Sequence, residues 1–237
     1  MLLRRMVVHV KEQNWTAVGL DFLIVVVGVF FATQVSNWNA ARADRDTEQV
    51  ILKRLESDFA KIVETEAHYL GTAEAAAAGS DILLEKTVAG TLPEDSASLC
   101  QLLRPPRAFR PAPPPSATYE QLVANGDMRL IRNETLRVAL AEFESQRNQH
   151  IAIADNSLAT TLALSRPFWS AVDICDASLR TPDDRFASQI GEIVTSPDFA
   201  GAVSGNLTQH QGAVRAHTAT KAKAEEVLAL LQVAVSQ

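Results

Sequence analysis

Residues 22–41 read FLIVVVGVFFATQVSNWNAA, and none of them is charged. Twenty residues of α-helix at about 1.5 Å each span about 30 Å, the thickness of the hydrocarbon core of a bilayer. A helix buried in a soluble protein normally carries a polar stripe, whereas this stretch has no polar side chain before Thr33 and Gln34. The sequence therefore predicts one transmembrane helix, which we place at residues 15–41.

Two tryptophans mark the ends of this segment. Trp15 and Trp38 would lie about 35 Å apart along a helix, which suits amphipathic rings at the two membrane–water interfaces. The apolar run is longer than the core of a typical secretory signal, and the bulky pair Phe30-Phe31 stands where cleavage needs small residues. We therefore expect an uncleaved anchor.

The first fourteen residues form a short basic segment ahead of the span. Arg4, Arg5 and Lys11 are interspersed with apolar residues at helical spacing. This pattern is typical of an amphipathic segment that lies on an anionic membrane surface. A basic segment with no structure of its own fits the same residues, so both interpretations stay open for residues 1–14.

Charge does not decide the orientation of the span, because similar numbers of Lys and Arg precede and follow it. A short tail is easily retained in the cytoplasm, whereas a long domain translocates largely regardless of its charge. Cys100 and Cys175 are an even pair, which suits an oxidising compartment. We therefore expect a cytoplasmic segment at 1–14 and an extracytoplasmic domain at 42–237.

The end of the apolar run carries a recognisable motif, Gln-Val-Ser-Asn-Trp-Asn at residues 34–39. With the basic start before it and the helix of mixed charge after it, the layout of about the first 55 residues resembles an uncharacterised bacterial family of single-pass membrane proteins. A weaker echo follows at Tyr119-Glu120-Gln121-Leu122, Asn125-Gly126 and Leu130-Ile131. The resemblance implies a bacterial inner-membrane protein with a mostly helical domain, and it implies no activity.

Composition limits the class of the domain at 42–237. The chain is 47% apolar and 21% charged, so it can bury a hydrophobic core. A net charge of -6 argues against a nucleic-acid partner. Two cysteines exclude a disulfide-dense scaffold and a four-cysteine metal site within one chain.

Helical periodicity recurs along this domain, so we predict an all-α fold in which the transmembrane helix continues into an elongated antiparallel bundle. No proline interrupts residues 42–70, where Leu55, Phe59 and Ile62 are spaced for one helix face. Six prolines cluster in a loop at 104–115, which no helix is expected to cross. Short helices are predicted at 96–103 and 118–124. A long helix is predicted to begin at 134 after the N-cap Asn133 and to kink or end at Pro167, and a polar connection follows at 175–184. The last helix is predicted from 197 to 231, after the N-cap Ser196.

Five residues of the span are candidates for contacts within the membrane. Asp21 is the only charged residue between the two tryptophans. A charge at membrane depth is costly and often functional. Asp21 lies close to an interface, however, where a carboxylate can reach the headgroup layer and need not have a function. Gly28 and Ala32 form a small-xxx-small pair, and the amides of Gln34 and Asn37 can bond across a helix pair, although such pairs also arise by chance. The hypothesis is self-association, or docking on another membrane protein.

The Pro-rich loop combines basic and aromatic side chains, namely Arg104, Arg107, Phe109 and Arg110. A pre-ordered chain loses little entropy on binding, so the loop suits a partner groove or anionic headgroups. An ordinary solvated loop accounts for the same residues, and the sequence does not separate these alternatives.

The two cysteines flank the irregular segments of the predicted bundle. A bond between Cys100 and Cys175 would stabilise the fold by about 4 kcal/mol in the chain-entropy model. The sequence leaves open a structural disulfide, two unrelated buried thiols and a reactive thiol.

The five histidines form no metal-binding motif; they are His9, His68, His150, His210 and His217. His210 and His217 share a helical face, but exposed histidines on an Ala-rich helix need no metal to explain them. The chain has no nucleophile elbow, no phosphate-binding glycine loop and no paired-carboxylate signature. We therefore predict no metal, no cofactor and no enzymatic activity.

These features together predict a membrane-anchored, non-catalytic tethering or interaction protein of the bacterial cell envelope. Its partners would be the lipid bilayer and either another membrane or envelope protein or a second copy of the chain, with no nucleic acid. The alternative is an extracytoplasmic ligand-sensing domain that signals through a separate partner protein.

Overall fold

The computed structural model describes residues 15–105, 112–180 and 184–236, and within these ranges it contains helices and short connections with no strand. The helices are α1 (Trp15–Ala89), α2 (Ser96–Leu103), α3 (Ala117–Asn125), α4 (Glu134–Leu164), α5 (Arg166–Arg180), α6 (Asp184–Val194) and α7 (Pro197–Val235), with a 3₁₀ turn at Asp127–Leu130. The all-α class is confirmed. The predicted basic segment at 1–14 lies outside the described residues.

One helix in the described part of the chain is long and apolar enough to cross a membrane, the stretch Gly19–Ala89 of α1. The large apolar side chains between Leu20 and Val35 are all exposed, and Phe22 is 71% exposed. A core helix of a soluble protein would bury such side chains. Their exposure is what a segment surrounded by lipid requires.

The chain separates into two compact units, Met1–Val50 and Ile51–Gln237. The second unit contains two hydrophobic clusters. The first cluster joins α1, α3, α4 and α7, and Phe59 and Phe143 meet edge to face at its centre with ring centroids 4.9 Å apart. The second cluster joins the end of α1 to α2, α5, α6 and the start of α7.

The order in which the long helices meet these clusters gives their directions. α1 contributes to the first cluster at Leu55 and to the second at Leu83, whereas α7 contributes to the second at Phe199 and to the first at Val227. α7 therefore runs antiparallel to the part of α1 that lies in the second unit. α4 starts in the first cluster at Leu136 and leads towards α5 in the second, so it runs in the same direction as α1.

Local chemistry sets most of the helix ends. The Asn133 side chain accepts a hydrogen bond from the Leu136 amide at 3.1 Å, and Ser116 accepts one from the Tyr119 amide at 3.2 Å. Gly126 ends α3 in the left-handed region with φ of 73°, which glycine adopts without steric cost. Ser196 precedes α7 and Pro197 is its first residue, as predicted, although Ser196 makes no side-chain cap bond.

The predicted polar connection at 175–184 is wrong. Cys175 lies inside α5, which continues to Arg180, and α6 begins at Asp184. The reason is a stripe of apolar side chains at helical spacing, of which Phe168 and Val172 are buried with Cys175 in the second cluster. Pro167 does end α4, and its place in the first turn of α5 leaves no helical hydrogen bond unmade.

Candidate functional site: a buried polar layer

A layer of polar side chains separates the two hydrophobic clusters. Glu66 on α1, His150 on α4, and His217 and Thr220 on α7 are 0%, 3%, 1% and 0% exposed. We call these four residues the polar layer. Each occupies the inward face of its helix: Glu66 lies one turn beyond the buried Ile62, and Thr220 lies one turn before the buried Ala224. The same helix faces that bury apolar residues at both ends thus bury polar ones in the middle.

Glu66 and His217 form a buried pair. Nδ1 of His217 lies 2.9 Å from Oε2 of Glu66, across 151 residues of sequence. A carboxylate only accepts hydrogen bonds, so the imidazole N–H donates. The other carboxylate oxygen, Oε1, is buried and has no hydrogen-bond partner among the described residues. Such an atom costs about 1–3 kcal/mol unless something satisfies it.

Thr220 sets the tautomer of His150. The Thr220 hydroxyl donates to the carbonyl oxygen of Ala216 at 3.0 Å, so its oxygen is left to accept from Nδ1 of His150, also at 3.0 Å. The proton of a neutral His150 is therefore on Nδ1. Its Nε2 carries the free lone pair.

The two imidazole rings are in direct contact. Their centroids are 4.4 Å apart with the planes at 75°, and the ring of Tyr69 lies 5.8 Å from that of His217. Burial, together with the neighbouring His217, lowers the pKa of His150 to about 4. His150 is therefore neutral at neutral pH and can act as an electron-pair donor.

The polar layer brings together three groups that bind metals. Glu66, His150 and His217 each offer one ligand atom, and these atoms all lie within 4.8 Å of one another. Two imidazole nitrogens with one carboxylate oxygen form a ligand set used for zinc and for non-haem iron. The arrangement can thus hold a divalent transition-metal ion.

The sequence-based interpretation of the histidines as exposed is wrong for His210 and His217, which are both buried. The helix face that carries them also contains the buried small residues Ala213 and Ala224, so it packs inward. A signal for the layer was present on α1. The apolar stripe that includes Ile62 and Ala73 passes through position 66, and an acid at such a position calls for a buried partner.

The structure contains the disulfide, one of the alternatives that the sequence left open. Cys100 on α2 and Cys175 on α5 are joined with an S–S distance of 2.08 Å and a Cα–Cα distance of 5.5 Å. Both lie in or against the second cluster, and no cysteine is free. The bond links the two helices through cysteines that are 75 residues apart in sequence.

The candidate contact residues of the span are all exposed, and a Cβ atom at Gly28 would meet nothing within 4 Å. At about 100° per residue, Asp21, Gly28 and Ala32 lie within about 40° of one another around α1. Gln34 lies about 120° from Gly28, and Asn37 lies about 180° from it. The predicted set therefore divides into one small-residue face and two amides that point elsewhere.

The remaining predicted residues are only partly described. Trp38 is exposed on α1, whereas the side chain of Trp15 lies outside the described part of the chain. Arg104 is exposed just beyond α2. The other loop candidates, Arg107, Phe109 and Arg110, fall outside the described residues.

Comparison with protein-family models, with curated proteins and with solved structures finds no match to this chain.

Proposed function

We propose that the protein is a single-pass anchor of the bacterial inner membrane whose helical domain, residues 42–237, lies in the periplasm and binds other envelope components without catalysis. The observation that carries this proposal is the exposed apolar surface of α1 between Leu20 and Val35. Apolar side chains gain roughly 25 cal/mol per Å² on leaving water, so a bilayer stabilises this segment and water does not.

The disulfide supports the periplasmic placement. Disulfides persist in oxidising compartments such as the periplasm and are rare in the bacterial cytoplasm. Cys100 and Cys175 are paired, and this leaves no free thiol. This agrees with a short cytoplasmic segment and a translocated domain.

The closed polar layer supports a non-catalytic role. Glu66, His150 and His217 form a cluster of possible metal ligands in the described bundle, and they are at most 3% exposed. An enzyme needs a cleft that admits substrate to such groups. Groups buried this deeply suit an internal structural or ion-binding role better.

We expect the topology to be visible by cysteine labelling of the full-length protein in a Cys100→Ala, Cys175→Ala background. Ala75 is exposed on α1. An Ala75→Cys variant should react with a membrane-impermeant maleimide in intact spheroplasts, because the domain faces the outside. A matched Gln13→Cys variant should react only after lysis. The reverse pattern would place the domain in the cytoplasm and overturn the proposal.

We propose the small-residue face as the surface through which two copies associate in the membrane. Gly28 and Ala32 allow close approach of two helices, as in small-xxx-small pairs. A Gly28→Leu substitution should weaken self-association about tenfold, because the leucine side chain would keep the two helices from approaching closely. Energy transfer between two labelled full-length populations in liposomes measures this.

The control for that experiment is Val26→Leu, because Val26 lies about 160° around the helix from Gly28. It changes side-chain volume without touching the small-residue face and should leave energy transfer unchanged. Equal energy transfer in wild type and both variants would exclude this face as the contact surface.

The alternative function, a ligand-sensing domain that signals through a separate partner protein, is favoured by the polar layer. The layer lies where three long helices meet, so a bound ligand would act on all three. Stabilisation of the full chain by one ligand would favour sensing. A stable complex with an envelope protein and no ligand effect would favour tethering.

A further inference from the structure

We propose that Glu66, His150 and His217 form a binding site for one divalent transition-metal ion, and that Zn²⁺ is the ion that fits best. This inference goes beyond the proposed function: the metal site does not rest on it, and only the choice of zinc over iron uses the disulfide that also supports the periplasmic placement. Nothing in a tethering role needs a metal, and a metal site inside the bundle would exist on either side of the membrane.

The spacing of the three groups suits one ion. Zinc bonds of about 2.0–2.1 Å in a tetrahedral arrangement place neighbouring ligand atoms about 3.4 Å apart. The three candidate ligand atoms lie within 4.8 Å of one another, and the imidazole rings are already in contact. Small rotations of the side chains therefore suffice to close the site.

Hydrogen bonding prepares His150 as a ligand. Metal-bound histidines almost always donate their second ring N–H to an oxygen, which orients the ring and sets the tautomer. Thr220 supplies that oxygen at 3.0 Å from Nδ1 and is itself held by Ala216. Nε2 of His150 is thus unprotonated, and its lone pair can coordinate an ion.

Glu66 provides the negative charge that a cation needs. Its Oε2 accepts from His217, and its buried Oε1 has no hydrogen-bond partner in the part of the chain that the structure describes. A carboxylate oxygen removed from water needs a compensating contact. A bound cation supplies that contact directly and converts an unfavourable atom into a ligand.

The ligand set and the disulfide together favour zinc over iron. Two histidines and one carboxylate serve both Zn²⁺ and Fe²⁺. The Cys100–Cys175 bond indicates that the domain matures in an oxidising environment. Zn²⁺ has no redox chemistry there, so it is stable in the conditions in which the fold forms.

The test uses the full-length protein, purified in detergent with a tag that lacks histidine and treated with a chelator. Titration with ZnCl₂ in a calorimeter should give one ion per chain, and bound zinc should raise the thermal unfolding midpoint. Glu66→Gln and His150→Gln each remove one ligand with little change in shape, and each should lower zinc affinity at least tenfold. Circular dichroism confirms that both variants remain helical.

Two further variants separate a built site from surface binding. Thr220→Val keeps the side-chain volume but removes the oxygen that orients His150, and it should lower zinc affinity about tenfold. His68→Gln removes an exposed histidine from α1 and should leave the affinity unchanged. The absence of saturable binding to the wild type would overturn the proposal, as would equal affinity in the wild type, Glu66→Gln and His150→Gln.

Discussion

Replacing Glu66 with alanine is expected to lower the free energy of unfolding by about 3 kcal/mol. The substitution leaves Nδ1 of the buried His217 without its acceptor at 2.9 Å. An orphaned buried donor costs about 1–3 kcal/mol, and the cavity left by the removed side chain adds to that cost. Denaturant unfolding of the chelator-treated, full-length protein in detergent measures the change.

Matched variants show whether the pair or the side-chain volume carries the effect. Glu66→Gln keeps an acceptor oxygen and should cost about 1 kcal/mol. Glu64→Ala, at an exposed position of α1 two residues before Glu66, should change the stability by less than about 0.5 kcal/mol.

A double-mutant cycle then measures the coupling itself. Replacing Glu66 and His217 together with leucine should cost clearly less than the sum of the two single replacements, because no polar partner is left buried alone. Additive costs would show that the two side chains do not interact.

Removing the disulfide is expected to produce the second large loss. A bond between residues that are 75 apart in sequence raises the free energy of the unfolded chain by about 4 kcal/mol in the chain-entropy model. The Cys100→Ala, Cys175→Ala double variant should therefore unfold about 10 °C below the wild type, given the size of the domain. Thermal unfolding of the full-length protein, followed by tryptophan fluorescence or circular dichroism, gives the midpoints.

Reductant provides the control for that measurement. It should lower the midpoint of the wild type by a similar amount and have no effect on the double variant, which has no bond to break. A wild type that is insensitive to reductant, together with a double variant of unchanged midpoint, would show that the bond contributes nothing to stability.

Features encoded by neighbouring residues were predictable. The apolar run at 22–41 is visible by itself because its length and lack of charge match a bilayer. The starts of α2 and α4, and the end of α3 at Gly126, follow from caps that act over three or four residues. The helix over 166–180 was missed because its polar residues resemble a connection until its buried face is known.

The polar layer was not predictable in the same way. Glu66 and His217 are 151 residues apart, and no short motif joins them to His150. Helix periodicity places each residue on a face of its own helix. It does not determine which helix faces pack together or how the helices are aligned along their axes.

The sequence by itself thus determined the membrane span candidate, the all-α class and most helix ends, because each depends on local composition or on contacts within one turn. Only the tertiary structure decided that Cys100 meets Cys175 and that Glu66, His150 and His217 share one buried layer. The physical reason is that packing sets the register between α1, α4 and α7. Because this packing buries His150 and His217 next to Glu66, the three side chains form a candidate site.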